Sequence, residues 1–373
     1  MRLVWQVSVQ SQLLIPSARA NKFWHSPSRE KIFSSSGEAS LKQRAAAKGI
    51  TYGAATNAFT LKTKPDFTAK FIQECGVLVP EMELKWESLR PSPDKFFFDD
   101  GDWLAEFART NNMRFRGHTL VWNQGLPKWF KETINPQNAE NFFLEHIKTV
   151  TKHYAGKVNS WDVVNEAIAP YEGRKDYLRK TAWLEFLGSD YIELAFRTAA
   201  EADPKALLVY NEGFLEHDLR SHDITRETTL KLLQNLKSKG VPIGALGIQG
   251  HLTGHVDLYN SQKLRSFLSD VANLGLKIII TEMDVRDQEL PLDTNIRDGI
   301  VASYYEKFLS IVLDEKAVIE VSTWGLSDKS TWLTSFAGRP DGMPVRPLPL
   351  DENLQPKQAW NAIAKAFDSA PTR

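Results

Sequence analysis

Residues 160–166, SWDVVNE, and residues 277–285, KIIITEMDV, decide how this chain folds. Each is an apolar, β-branched run too short for a helix, each carries a carboxylate at or near its end, and each is followed by residues with helical period. Six more such runs share this rhythm: TYGAAT from 51, VLVPE from 77, RFRGHTLVW from 114, LLVYNE from 207, ALGIQGH from 245 and EVSTWGLSD from 320. Between them, segments such as 138–155, 189–204 and 295–313 repeat apolar residues at three and four. Strands that alternate with helices imply parallel pairing. With strand ends taken at Thr56, Glu81, Trp122, Glu166, Glu212, His251, Asp284 and Asp328, successive ends lie 25 to 46 residues apart, enough for a helix and two loops. Eight such units predict the α/β class and a closed (β/α)8 TIM barrel as one domain over 41–370. An open doubly wound sheet is the rival fold, but no G-x-G-x-x-G follows the first strand and no G-x-x-x-x-G-K-[ST] occurs in the chain.

Composition narrows the partners. With 46 basic and 46 acidic side chains in 373 residues, the formal charge is zero, so nucleic acid and anionic membrane are not expected partners. A hydrophobic content of 42% and a charged content of 25% fit a globular domain, and no stretch approaches the ~18 apolar residues of a membrane span. The single Cys75 rules out an internal disulfide and a cysteine metal cluster. Eleven Trp, 20 Phe and nine Tyr either fill a large core or line a groove on which sugar rings stack. Residues 1–20 end in Ala18-Arg19-Ala20, an A-x-A pattern, but polar residues interrupt their apolar part. They fit an export signal or a start assigned upstream of the domain, and residues 21–40 read as a Ser-rich linker. The expectation is a secreted or periplasmic monomer.

The C-terminal ends of the strands carry Glu81, His118, Asn165 with Glu166, Glu212, His251, Glu282 with Asp284, and Asp328. In this fold that rim is where active sites are built. One strand-end acid is as often a helix cap or ion-pair partner as a catalyst. Several at one level need a further reason, because each must be desolvated. Glu166 and Glu282 end the most apolar strands, the fourth and the seventh, and would face each other across the mouth. Two such carboxylates are what glycoside hydrolysis needs, one protonated for the leaving oxygen and one ionised to attack or to activate water. His251 could hydrogen-bond Glu282 or be a satisfied core histidine. Trp122, Trp324 and Trp332 could wall a sugar site or pack the core. A cation held by His118, Glu81 and Asp284 is a weaker alternative, and no H-E-x-x-H or G-x-S-x-G is present. No cofactor and no metal are expected.

Taken together, WDVVNEA (161–167), IITEMDV (279–285), GHTLVW (117–122), GIQGHL (247–252), PEMELKW (80–86) and TWGLSDKSTW (323–332) resemble glycoside hydrolase family 10. The similarity runs over about 41–368 in motif order. It implies a retaining endo-β-1,4-xylanase with a polysaccharide or oligosaccharide substrate, xylan. It further implies Glu166 as acid/base and Glu282 as nucleophile, with Asn165 on the sugar 2-hydroxyl and His118, Trp122 and Lys85 on the same sugar. His251 and Gln249 would bracket the nucleophile and Asp284 would support His251. Glu81 with Lys85, and Trp324 with Trp332, would bind sugars on the non-reducing side.

The chain also departs from the family pattern. Met82 stands where Asn is usual, Asn123 and Gly125 lie where the family reads W-H-S-Q-L-P, Gly213 and Phe214 fall within its N-D-Y-N motif, and Leu333 follows Trp332 where Arg is frequent. The Asn and Gln commonly contact the sugar next to the cleaved one, so their loss removes about 0.5–1.5 kcal/mol each. Altered preference for short or decorated chains follows. A retaining barrel glycosidase on another β-glycan or small β-glycoside, and a non-catalytic carbohydrate-binding barrel, remain as alternatives.

Overall fold

In a computed structural model of the protein, residues 33, 37–256 and 260–373 are described. The expected leader and most of the expected linker lie outside them.

Nine parallel strands form: β1 (Thr51–Thr56), β2 (Val77–Pro80), β3 (Arg114–Val121), β4 (Ser160–Asn165), β5 (Leu207–Glu212), β6 (Ala245–Ile248), β7 (His251–Thr253), β8 (Lys277–Arg286) and β9 (Val318–Thr323). Consecutive strands pair from β1 to β6, β6 pairs with β8, β8 with β9, and β9 returns to β1, so the barrel closes on eight strands. β7 is a spur on the outer end of β8, pairing His251 with Asp284. The expected sixth strand, ALGIQGH, is thus broken in two. Gly250 takes φ +79°, a left-handed conformation that ends β6 and re-aims the chain before His251.

The strands are nearly wholly buried because helices cover their outer faces. The helix Ala139–His153 shows how: Phe143, Ile147 and Val150 recur at four and three and face the sheet. Side chains of Ser40, Asn57, Thr181, Asn260 and Asp293 accept backbone N–H groups at helix starts, which sets where each crossover turns. Inside the barrel, Val209, Ala245 and Ile279 pack in one layer, while Ala55, Val79 and Trp324 pack in another. Gly117 has no room for more than hydrogen, since a Cβ there would fall 2.1 Å from the ring of the buried Trp161. Arg116, fully buried, pairs with Asp162 and lies 3.8 Å from Glu320, an ionic cluster inside the core.

Two strand ends differ from expectation. β8 runs two residues past Asp284, to Arg286. β9 stops at Thr323, and Asp328 sits in a following turn of 3-10 helix, where it accepts Lys357 Nζ at 2.8 Å and the Leu348 N–H at 3.0 Å. Burial pushes its carboxyl up to about 6 against the pull of Lys357. Asp328 therefore anchors the segment leading to the last helix, Gln358–Ser369, and does not join the mouth. Among the described residues no helix is long and apolar enough to cross a membrane.

Candidate active site

Glu166 is the residue immediately after β4, held at φ +57°. Its N–H donates to the Asn211 carbonyl of β5, 2.9 Å, which continues the ladder one step beyond the strand. Glu282 lies within β8, and its N–H donates to the Gln249 carbonyl at 2.8 Å. The same two residues hold the opposite carboxylates with their side chains. Asn211 Nδ2 donates to Glu282 Oε1 at 2.8 Å, and Gln249 Nε2 donates to Glu166 Oε1 at 2.9 Å. This crossed arrangement ties both acids to one mouth. Neither Asn211 nor this use of Gln249 follows from the motifs: the similarity puts Gln249 beside the nucleophile, where its backbone carbonyl does lie, and its side-chain amide in addition reaches Glu166.

Asn211 is saturated. Its Oδ1 accepts Thr281 Oγ1 at 2.8 Å, and its Nδ2 also donates to Asn165 Oδ1 at 2.8 Å. Asn165 is thereby oriented with its oxygen turned inward to the protein. Gln249 has a geometric requirement of its own. A Cβ at Gly213 would fall 2.4 Å from Gln249 Oε1, so the glycine leaves the amide room to reach Glu166.

Around Glu282 the charges are ordered. His251 Nε2 donates to Glu282 Oε2 at 3.2 Å, and His251 Nδ1 donates to Asp284 Oδ1 at 2.9 Å. Asp284 Oδ2 accepts the Trp332 indole N–H at 2.8 Å. Burial by itself opposes charge on both partners of the pair. The contacts with Asp284 and Glu282 outweigh it at His251 and raise the imidazole to about 10. At Glu282 the His251 hydrogen bond, the nearby His118 and the Asn211 amide outweigh burial and hold the carboxyl down to about 2. A carboxyl whose value is lowered stays ionised until the pH falls through that value, and an imidazole whose value is raised stays charged until the pH rises through it. The pair is therefore ionised from about pH 2 to about pH 10. Replacing His251 by glutamine should leave burial in command and move the acid limb of kcat/KM upward by about 1 unit or more. Rate profiles carried down to about pH 2 check this: the limb should enter the range above pH 3 in the variant alone, and profiles that coincide would show that His251 is not what keeps Glu282 charged.

Glu166 stands in a different setting. Arg179, which the motifs do not single out, donates from Nε to the Glu166 carbonyl at 2.6 Å, and its Nη2 is 3.6 Å from Glu166 Oε2. Tyr171 accepts from Arg179 Nη1 at 2.8 Å. Glu212 is fully buried beneath, accepting the Ile168 and Gly213 N–H groups and the Tyr210 hydroxyl. Burial pushes Glu212 up to about 8, although Arg179 and the Tyr210 hydrogen bond pull it down. At neutral pH it is mainly uncharged. It therefore fixes the loop after Glu166 without placing a full second negative charge beside it.

The sugar-side candidates gather at β2, β3 and β9. His118 donates or accepts at Asp162 Oδ2, 2.9 Å, and meets Trp324 edge-on with centroids 5.1 Å apart. Lys85 is buried, 5.0 Å over the Trp122 ring and 6.0 Å from that of Trp324, and its Nζ is 3.7 Å from Met82 Sδ. Burial lowers its ammonium despite the pull of Glu282 and Glu81. Glu81 turns instead to Asn57 Nδ2 at 3.0 Å, so Glu81 and Lys85 do not form a close pair. The three residues of the alternative cation site have separate partners: His118 has Asp162, Glu81 has Asn57, and Asp284 has His251 and Trp332. They do not converge, which corrects that reading.

Comparison with known proteins identifies the family and the fold. The sequence profile described as glycosyl hydrolase family 10 matches residues 40–366. A β-1,4-xylanase of Dictyoglomus thermophilum is 36% identical over 296 residues, covering 77% of this chain and 81% of its own length. The crystal structure of native xylanase 10B from Thermotoga maritima superposes with TM-score 0.80 at 34% identity, over 88% of this chain and 98% of that one. Xylanase 10B from Thermotoga petrophila, solved in complex with xylobiose, superposes with TM-score 0.81 at 33% identity, over 90% and 99%.

Proposed function

The chain belongs to glycosyl hydrolase family 10 and is a glycoside hydrolase of the endo-1,4-β-xylanase type, and we propose that it cleaves the xylan backbone with retention through Glu166 and Glu282. The observation that carries the assignment of roles is the crossed hydrogen bonding by Asn211 and Gln249. It brings two carboxylates to one mouth and leaves them in unlike surroundings. Glu282, held ionised by His251, is the nucleophile that attacks the anomeric carbon. Glu166, more exposed and bonded to a neutral amide, gives its proton to the leaving oxygen and later takes one from water. Retention requires the two carboxyls to be about 5–5.5 Å apart.

The other residues hold the sugar. Asn165 keeps Nδ2 available for the 2-hydroxyl because Asn211 occupies its oxygen. Lys85 and His118, with Trp122, line the sugar at the point of cleavage, while Trp324, Trp332 and Glu81 continue the cleft on the non-reducing side. Asp284 acts through others, fixing His251 on one oxygen and Trp332 on the other. The Ala18-Arg19-Ala20 pattern supports export to where xylan is met.

The wild-type protein tests this reading. Initial rates on unsubstituted xylo-oligosaccharides, arabinoxylan, cellulose and an aryl β-glucoside are expected to favour the xylose backbone, with β-anomer appearing first by NMR. Preference for a glucan, or α-anomer first, would overturn it.

A further inference from the structure

Arg286 is the last residue of β8 and follows Glu282 and Asp284 at alternate positions, so all three project from one face of the strand. At a rise of ~3.3 Å per residue, its Cα is about 13 Å from that of Glu282, which places it on the rim of the same cleft. Its guanidinium lies 5.2 Å from the Phe336 ring centroid and 5.9 Å from that of Trp332, two rings stacked on each other at 4.5 Å. Trp332 in turn sits 5.2 Å from His251, so the shelf is continuous with the catalytic mouth.

This cation lacks an acceptor. Its Nε is buried without a hydrogen-bond partner, and among the described residues no carboxylate lies within ion-pair distance of the guanidinium. The two acids that act on it from farther away are engaged. Asp284 serves His251 and Trp332, while Glu216 accepts the N–H groups of Gly250 and Leu215. Burial lowers the guanidinium from its ordinary value, with Asp284 and Glu216 opposing. Arg286 is half-buried, and a planar guanidinium fixed over aromatic rings presents its donors in the fork that fits a carboxylate.

We propose that Arg286 binds the carboxylate of a uronic-acid side group, so that the cleft recognises acid-decorated xylan. The proposal rests on the xylanase reading and deepens it: the shelf of Trp332 and Phe336 takes the apolar face of the side sugar, and Arg286 takes its acid group.

The test compares a glucuronosyl-substituted xylo-oligosaccharide with its carboxyl-reduced counterpart, which has the same linkages and no charge. In the wild type, kcat/KM is expected to favour the acid about fivefold, equivalent to about 1 kcal/mol, and 0.5 M salt should reduce the preference. In Arg286→Gln the ratio should fall to about 1, and in Arg286→Lys it should be intermediate, because the charge remains and the fork is lost. Using the ratio within each variant cancels any general loss of activity or folding yield, and Arg286→Lys serves if the glutamine variant does not fold. A wild-type ratio of 1, or a ratio unchanged in both variants, overturns the proposal. A wild type that cleaves neither these substrates nor neutral xylohexaose overturns the xylanase reading itself.

Discussion

Glu282→Ala is expected to lose about 10⁴–10⁶-fold in kcat on xylo-oligosaccharides, the scale at which removal of a covalent nucleophile leaves only binding and general catalysis. The substitution opens space opposite the leaving group and leaves two donors without their acceptor, Asn211 Nδ2 and His251 Nε2. Those donors favour a small anion there. Added azide should therefore restore activity on an aryl xyloside and give the azide product with inverted configuration, since only one displacement then occurs. Circular dichroism and the thermal midpoint separate this from unfolding. Folded Glu282→Ala with more than a few per cent of wild-type activity would end the assignment, as would azide rescue with retention.

The second large effect is at Glu166. Glu166→Ala should lower kcat on xylo-oligosaccharides by about 10²–10⁴-fold, the range of a positioned general acid. On an aryl xyloside with a good leaving group, the first step needs no proton, so the glycosyl-enzyme should form rapidly and then persist because no base activates water. A burst of phenol followed by a slow steady state is the expected trace, and azide should accelerate turnover with retained configuration. The two variants thus differ in the stereochemistry of rescue as well as in size. Equal losses on both substrates, without a burst, would show that Glu166 acts on binding rather than on proton transfer. Arg179 enters here too: it holds the Glu166 carbonyl and lies 3.6 Å from its carboxylate, which keeps the strained residue at φ +57° aimed at the mouth.

The positions of Glu166 and Glu282 were legible because each closes an apolar run, and a carboxylate at the end of a buried strand stands out against its neighbours. The supporting set was less legible for a definite reason. Asn211 is one residue before the expected end of its strand and looks like any polar strand terminus; its role depends on register with Asn165 and on reach to Glu282 across β6. Arg179 is 13 residues beyond Glu166 in a loop without regular period, and only the return of that loop places it under the acid. Arg286 was hidden because the strand was expected to end at Asp284.

What the amino-acid order determined by itself is the barrel, its strand sequence and the two acids, since period, apolar run length and capping residues act over a few residues. What the tertiary structure decided is partnership: Gln249 with Glu166, Glu81 with Asn57 rather than Lys85, Asp328 with Lys357 rather than the cleft, and Arg286 with no acid within ion-pair distance among the described residues. These pairings turn on which side chains reach the same point from different strands. A shift of one residue in register changes them while leaving the local pattern intact.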